Sequence, residues 1–355
     1  MAASRKLRVL VVGLGHMGMP HARAYDDLPG FELAGLCARS IAKRNDLPER
    51  WRDVPRFADV TTALREVGPD VVSINTYADT HADFALRSLE AGAHVFVEKP
   101  LAESVEDARR VADAARAADR KVVVGYILRV HPSWTAFVEE ARRLGTPLVM
   151  RMNLNQQSSG EAWSSHRALM RSLTPIVDCG VHYVDVMCQM TRSRPVRVHG
   201  IGARLSDQVD VANYGHLQLE FADGSVGWYE AGWGPMLSET AFFVKDVVGP
   251  RGAVSIVTPE EGSASSSMDV HTKSSALRVH HAELAADGTF ARPDTILHFD
   301  DEPGHDELCR REQDLLLRAI REDLDLSGDL EDAVQSLRIV LAADESIRTG
   351  RVVEL

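Results

Sequence analysis

A largely apolar run, Leu7-Arg8-Val9-Leu10-Val11-Val12, passes straight into Gly13-Leu14-Gly15-His16-Met17-Gly18 and then into a helix-compatible stretch, Met19 to Asp26. Strand, glycine turn and helix in this order restrict the fold more than any other feature of the chain. They are what a dinucleotide-binding βαβ unit requires. Gly13 allows the tight turn, Gly15 lets the backbone approach a pyrophosphate, and Gly18 lets the helix pack on the strand. The helix N-terminus offers amides and a favourable dipole to phosphate, with His16 and Met17 in the same turn. A glycine pattern also occurs in plain strand–helix turns, but its context here favours nucleotide binding.

The second strand, Phe31 to Cys37, is followed by Ala38-Arg39-Ser40. An acid about 20 residues beyond the glycines would grip the ribose hydroxyls of NAD, and none stands here. Arg39 can pair with a 2′-phosphate and Ser40 can hydrogen-bond it, which favours NADP over NAD. The alternative is that Arg39 covers the adenine face and either cofactor binds.

Val95-Phe96-Val97 runs into Glu98-Lys99-Pro100. Pro100 cannot continue a strand ladder and forces a turn. Ligands of open α/β sheets bind just outside the carboxyl ends of the strands, so Lys99 is aimed at a site and Glu98 can pair with it. Read alone, the pair is equally a solvated ion pair. Further on, Thr174-Pro175 suits the start of a helix, with Thr174 as N-cap. In that helix Asp178 and His182 stand at i and i+4 on one face, roughly 6 Å apart along the axis. Asp185 extends the polar stripe, and Val177, Val181, Val184 and Cys188 form an apolar one beside it. A polar stripe on a buried helix is either a structural Asp–His hydrogen bond or an active site.

Taken together, these motifs resemble the glucose–fructose oxidoreductase / inositol dehydrogenase / MocA family over nearly the whole length. The resemblance includes the glycine turn, Glu98-Lys99-Pro100, the crossover Gly125-Tyr126-Ile127-Leu128-Arg129-Val130-His131-Pro132, the Asp178…His182 helix, and the closing Glu331-Asp332-Ala333…Ala342-Ala343-Asp344-Glu345-Ser346 helix. It implies a catalytic triad of Lys99, Asp178 and His182 for hydride transfer. It also implies cofactor contacts from Thr76, His81, Glu98, Lys99 and Arg129, and a homodimer or homotetramer. Asn75-Thr76-Tyr77 departs from the Thr-Pro that the family often carries before the position of His81.

The pattern along the chain agrees. Up to about Tyr126, strands Val9–Val12, Leu33–Cys37, Val71–Ile74, His94–Val97 and Val122–Gly125 alternate with helices such as Thr80–Ala91 and Ser104–Ala118. This is α/β architecture with a parallel sheet. The expected first domain, residues 1–126, is a Rossmann dinucleotide-binding domain. The second, residues 127–355, is an α+β domain with a large, mostly antiparallel open sheet. It begins with a helix near Ser133–Arg143. Its expected strands are Pro147–Leu154, Val196–Leu205, His216–Phe221, Val226–Gly232, Ala241–Val247 and Ala253–Val257. Asp223-Gly224 reads as a hairpin turn. Helices Glu307–Glu322 and Leu330–Arg348 close the chain, and Ser158–Ser165 and Glu261–Ser267 read as loops.

A chain of 355 residues has room for two domains, and its net charge of −12 argues against a nucleic-acid partner. No apolar run is long enough to span a membrane. The N-terminus carries no separate signal segment, and the scattered cysteines 37, 179, 188 and 309 lack metal spacing, so a cytoplasmic protein with reduced thiols is expected. His271, His280, His281 and His305 have no ligand framework, so no metal is expected. Trp228, Tyr229 and Trp233 suit sheet packing better than sugar stacking. Trp163, in a polar loop, is a better ligand candidate. Asn153, Asn155, Gln156, Gln157 and His166 suit hydroxyl groups, and Asn155 and Trp163 join the triad as expected substrate contacts. Arg129 and His131 either reach the site from the crossover or are structural.

The expected activity is an NAD(P)-dependent oxidoreductase acting on a secondary alcohol or ketone of a polyol, inositol or sugar derivative. His182 is its general base, Lys99 the stabiliser of the alkoxide, and Asp178 the orienting carboxylate. The competing readings are an NAD-dependent glycosidase of the same superfamily, with no net cofactor turnover, and a non-catalytic nucleotide-sensing regulator. A homo-oligomer is expected to form through the open face of the C-terminal sheet, where strands such as Val226–Glu230 and Ala241–Val244 carry apolar side chains.

Overall fold

The computed structural model describes residues 5–238, 244–257, 274, 276–299 and 302–355. The chain divides into two compact units, Met1–Ile127 with Pro303–Val334, and Leu128–Glu302 with Gln335–Leu355.

The first unit contains a six-stranded parallel sheet in the order β3-β2-β1-β4-β5-β6. Its strands are β1 (Leu7–Val12), β2 (Phe31–Cys37), β3 (Arg56–Phe57), β4 (Val71–Ile74), β5 (His94–Val97) and β6 (Val122–Val124). Val9 to Val12, Val71 to Ile74 and Val95 to Val97 are buried throughout, as expected of strands covered on both faces. The crossover helices are α1 (Gly18–Asp27), α2 (Val60–Val67), α3 (His81–Glu90) and α4 (Val105–Ala118). Asp59 and Ser104 cap α2 and α4 by accepting from Thr62 N–H and Asp107 N–H. The strand order reverses between β1 and β4, so the carboxyl ends of these two strands flank the crevice where such sheets bind ligands.

Residues 303–334 also belong to this unit, so the second unit is not the single span 127–355 that the sequence pattern suggests. The cause is helix α9 (His305–Arg321), which buries Leu308, Cys309, Gln313, Leu316 and Ala319 along one face. It packs on α1, where Tyr25 Oη donates to Gln313 Oε1 and Gln313 Nε2 donates to His21 Nδ1 at 2.9 Å. The boundary falls inside the last helix, α10 (Ser327–Thr349).

The second unit holds a nine-stranded sheet in the order β14-β13-β12-β11-β7-β10-β9-β8-β15. Its strands are β7 (Val149–Gln157), β8 (Pro195–Ala203), β9 (Tyr214–Phe221), β10 (Val226–Gly234), β11 (Lys245–Gly249), β12 (Gly252–Val257), β13 (Ala276–His281), β14 (Thr295–His298) and β15 (Val353–Glu354). Neighbours run antiparallel except β7 and β10. The Asp223-Gly224 hairpin joins β9 to β10, with Ser225 N–H donating to Asp223 Oδ1 at 3.0 Å. Strands β13, β14 and β15 have no counterpart in the sequence reading. Of the strand expected at Ala241–Val247, residues 241–243 lie outside the described residues, as do Glu261–Ser267 and His271.

The helices of this unit are α5 (Pro132–Arg143), α6 (Gly160–Leu169), α7 (Pro175–Asp178) and α8 (Gly180–Thr191), with the end of α10. Two of them cover one sheet face: Tyr183 of α8 stacks on Tyr229 with centroids 4.7 Å apart, and a Cβ at Gly200 would meet the Ala343 carbonyl of α10. The other face carries a stripe of register neighbours, Val248, Val149 and Val226, each about 40% exposed. Beside it lie the pairs Arg151–Asp246 and Arg197–Glu220. The loop expected at Ser158–Ser165 is mostly helix α6, because buried Trp163 anchors it.

Leu316 is fully buried in the cluster that also holds Tyr25, Phe31 and Phe96. Leu316→Ala should lower the stability of the first unit by about 2–5 kcal/mol, the usual cost of a large-to-small change in a core. Denaturant unfolding checks it, and an unchanged midpoint would show that α9 is not part of that core.

Candidate active site

In the first unit the glycine turn has the shape a pyrophosphate needs. Gly13 has φ +86°, and a Cβ there would lie 2.4 Å from the Asn75 carbonyl oxygen. A Cβ at Gly18 would lie 1.9 Å from the Gly13 carbonyl oxygen, so the turn closes only with glycine at both positions. A Cβ at Gly15 would meet nothing within 4 Å, so the loop backbone faces open space at the start of α1. The residues present therefore fit a dinucleotide phosphate. His16 is exposed and Met17 half-buried beside it. Beyond β2, Arg39 and Ser40 are both exposed. The sequence reading missed Arg44, which donates to the Leu14 carbonyl of the glycine turn and pairs with Asp46. No spacing rule points to it, because it comes from the irregular segment after β2.

Glu98 and Lys99 follow β5. The Glu98 carboxylate is buried, and His21 Nε2 lies 2.9 Å from its Oε1 while Lys99 N–H donates to its Oε2 at 3.2 Å. Since Gln313 donates to His21 Nδ1, the ring proton sits on Nε2 and His21 donates to Glu98. Burial alone would raise the Glu98 pKa, but the His21 hydrogen bond and nearby positive charge outweigh it and hold the carboxyl below its ordinary value. Its neighbour Glu312 is pushed well above its ordinary value, by burial first and then by the charge of Glu98. Glu312, His21 and Cys309 offer ligand atoms within 4.8 Å of one another, but the His21 nitrogens are already engaged with Glu98 and Gln313.

Two expected cofactor contacts have other partners. His81 is buried, its Nδ1 2.7 Å from the Pro100 carbonyl and its Nε2 3.0 Å from that of Thr76. It braces the loop after β5 against the end of β4, with both nitrogens committed to backbone. Thr76 Oγ1 is 2.7 Å from Thr80 Oγ1, which leaves its side chain turned to the start of α3.

In the second unit the Thr174-to-Asp185 segment is two helices in succession, α7 and α8, meeting at Cys179. His182 N–H donates to the Cys179 carbonyl at 3.2 Å, three residues back, which tightens the turn. Thr174 does not cap through its side chain but donates to Asp344 at 2.9 Å. Asp178 and His182 are half-buried, while Val177, Val181 and Val184 are buried. Asp185 belongs elsewhere: Arg129 grips it with two hydrogen bonds of 2.9 and 2.6 Å, and Gln189 adds a third. Arg129 therefore anchors a buried carboxylate. His131 is buried against Ser133.

The expected substrate contacts divide by strand parity. Asn155 pairs with Glu230 at 2.7 Å, on the face away from the helices. The next residue, Gln156, accepts from Trp233 Nε1 at 2.6 Å and from the Cys179 thiol at 3.4 Å, beside Asp178. Trp163 is buried, donates to Gln208 at 3.2 Å and lies under Arg167, so it is not an open stacking platform. Lys245 was also missed. Its ammonium donates to the Asn153 carbonyl, sits 5.2 Å from the Tyr183 ring centroid, and has its pKa lowered to about 7 by burial.

Residues 7–126 match the oxidoreductase family with an NAD-binding Rossmann fold known as GFO/IDH/MocA, and residues 138–252 match a C-terminal domain of the same family. The chain belongs to the GFO/IDH/MocA family. It is 28% identical over 207 residues to a UDP-N-acetylglucosamine 3-dehydrogenase of Acidithiobacillus ferrooxidans, covering 58% of this chain and 61% of that protein. It is 26% identical over 271 residues to the scyllo-inositol 2-dehydrogenase (NAD(+)) of Bacillus subtilis, covering 71% of this chain and 74% of the relative. Among solved structures, the WlbA dehydrogenase of Bordetella pertussis, in complex with NADH and UDP-GlcNAcA, shares the fold with a TM-score of 0.77 at 20% identity, over 99% of each chain. Among the described residues no helix is long and apolar enough to cross a membrane.

Proposed function

We propose that this protein is an NAD(P)-dependent dehydrogenase that oxidises a secondary alcohol of a sugar, inositol or sugar derivative, or reduces the matching ketone. The observation that carries this reading is the presence of Lys99, Asp178 and His182 in a chain matched by both family domains, with Asp178 and His182 half-buried beside fully buried valines. Relatives named as sugar and inositol dehydrogenases support the substrate class, as does a site dressed with amide, imidazole and carboxylate groups. Release of a sugar without net cofactor turnover is the second reading, since the same superfamily contains such glycosidases. A non-catalytic regulator is disfavoured by the intact triad.

Bound nicotinamide supplies the hydride acceptor or donor. His182 takes the hydroxyl proton of the substrate, an imidazole being suited to this near neutral pH. The Lys99 ammonium hydrogen-bonds the oxygen as it becomes an alkoxide. Asp178 orients His182 or a neighbouring substrate hydroxyl. In the reductive direction the same groups give the proton back.

The cofactor reading is NADP before NAD, with Arg39 and Ser40 on the 2′-phosphate and Arg44 stiffening the turn beside them. The protein is read as cytoplasmic, with no nucleic-acid or membrane partner. It is also read as a homodimer or homotetramer through the sheet face that carries Val149, Val226 and Val248.

Lys99→Ala and His182→Ala should each lower kcat at least about 100-fold while reduced cofactor still binds, since charge stabilisation and general base help are each of that size. Steady-state assays with scyllo-inositol, myo-inositol, methyl β-glucoside and UDP-N-acetylglucosamine check this, and near-wild-type turnover in both variants would refute the triad. NADPH should bind more tightly than NADH by fluorescence titration. Equal affinities, unmoved by Arg39→Ala, would rule out a 2′-phosphate clamp. Light scattering at micromolar concentration should give a dimer or tetramer, and a mass near that of one 39.0 kDa chain would contradict the interface.

A further inference from the structure

His166 has a setting that the triad leaves unused. Its ring lies flat on Trp233, with centroids 4.4 Å apart and planes 10° from parallel. Its Nδ1 is 3.0 Å from the hydroxyl of buried Ser158. Trp233 is itself immobilised: it is buried, its Nε1 donates to Gln156, and Asn213 Nδ2 donates to its carbonyl at 2.8 Å. Gln156 also accepts from the Cys179 thiol, whose sulfur is 3.7 Å from Asp178 Oδ2. A continuous set of contacts thus fixes the imidazole relative to the triad carboxylate. Asp178 acts electrostatically on His166, although partial burial outweighs that attraction and keeps the imidazole pKa below its ordinary value. His166 is half-buried, and Nε2 has no hydrogen-bond partner among the described residues.

An oriented imidazole with one committed nitrogen and one available nitrogen is built to bind a polar uncharged ligand group. The neighbouring carboxylate disfavours an anion. Stacking and the Ser158 contact restrict rotation, so little freedom is lost when Nε2 makes its bond.

We propose that His166 is a substrate-binding and specificity residue, which holds through Nε2 a hydroxyl of the polyol other than the one that His182 deprotonates. The proposal rests on the dehydrogenase reading for the identity of the ligand and on the second unit alone for its geometry. It predicts that substrates lacking that hydroxyl are selected against at the binding step.

His166→Phe tests it, because phenylalanine keeps the stack on Trp233 and removes both nitrogens. With the best-used compound of the panel above, KM should rise about tenfold and kcat should stay within about threefold, the loss expected of one neutral hydrogen bond made in ground and transition states alike. The thermal midpoint should match that of the wild type. Unchanged KM overturns the proposal, and so does a fall in kcat with KM unaffected. If the wild type turns over none of the compounds, the dehydrogenase reading fails for this panel. Binding of the same compounds is then read from tryptophan emission, to which Trp233 reports. Binding that weakens about tenfold in His166→Phe supports the proposal. Equal binding in the two proteins, or none in the wild type, overturns it.

Discussion

The buried Glu98 carboxylate is the contact on which the nucleotide-binding unit depends. One oxygen accepts from His21, which stands one turn into the helix that begins at the glycine turn, and the other accepts from the backbone N–H of Lys99. Behind His21 the chain of hydrogen bonds continues through Gln313 to Tyr25, and so binds α9 to the sheet. A charge so far from water persists only when its oxygens are satisfied, and the price is visible next door, where the Glu312 carboxyl is pushed well above its ordinary range. The same carboxylate thus ties together the loop that carries Lys99, the helix that follows the glycine turn, and a segment from the far end of the chain.

The second unit solves a different problem. Its helical segment buries Val177, Val181 and Val184 and leaves Asp178 and His182 half-buried, with a tightened turn at Cys179 between its two helices. The carboxylate that a simple polar stripe would add, Asp185, is withdrawn into a two-hydrogen-bond grip by Arg129. Polar groups of one stripe therefore differ in burial: Asp185 is fully buried, Asp178 and His182 are not.

Much of this was legible in the sequence. The buried parallel strands announce themselves by unbroken apolar runs, and the glycine turn, Glu98-Lys99-Pro100 and the Asp178…His182 spacing carry their chemistry in local order. The rest was hidden for physical reasons. The Asn153–Gln157 run is polar at nearly every position, so alternation could not tell that Gln156 and not Asn155 faces the helices. Serines and a glycine around Trp163 read as a loop, but burial of the indole overrode composition. Strand β14 is short and exposed, and shows no alternation to detect. The periodicity of α9 reveals a helix but not the sheet it packs on, because that choice depends on partners nearly 300 positions away, such as His21. Chain position alone does not reveal that His81 hydrogen-bonds the backbone at Thr76 and Pro100, or that Arg129 grips Asp185.

Under the proposed dehydrogenase activity, a carbon-bound hydrogen of a polyol passes to the nicotinamide. Mass spectrometry of the cofactor after incubation with carbinol-deuterated inositols and glucosides reads this step directly. The account predicts reduced cofactor carrying one deuterium, with a ketone formed in equal amount. A released sugar with no deuterium retained in the cofactor would contradict it.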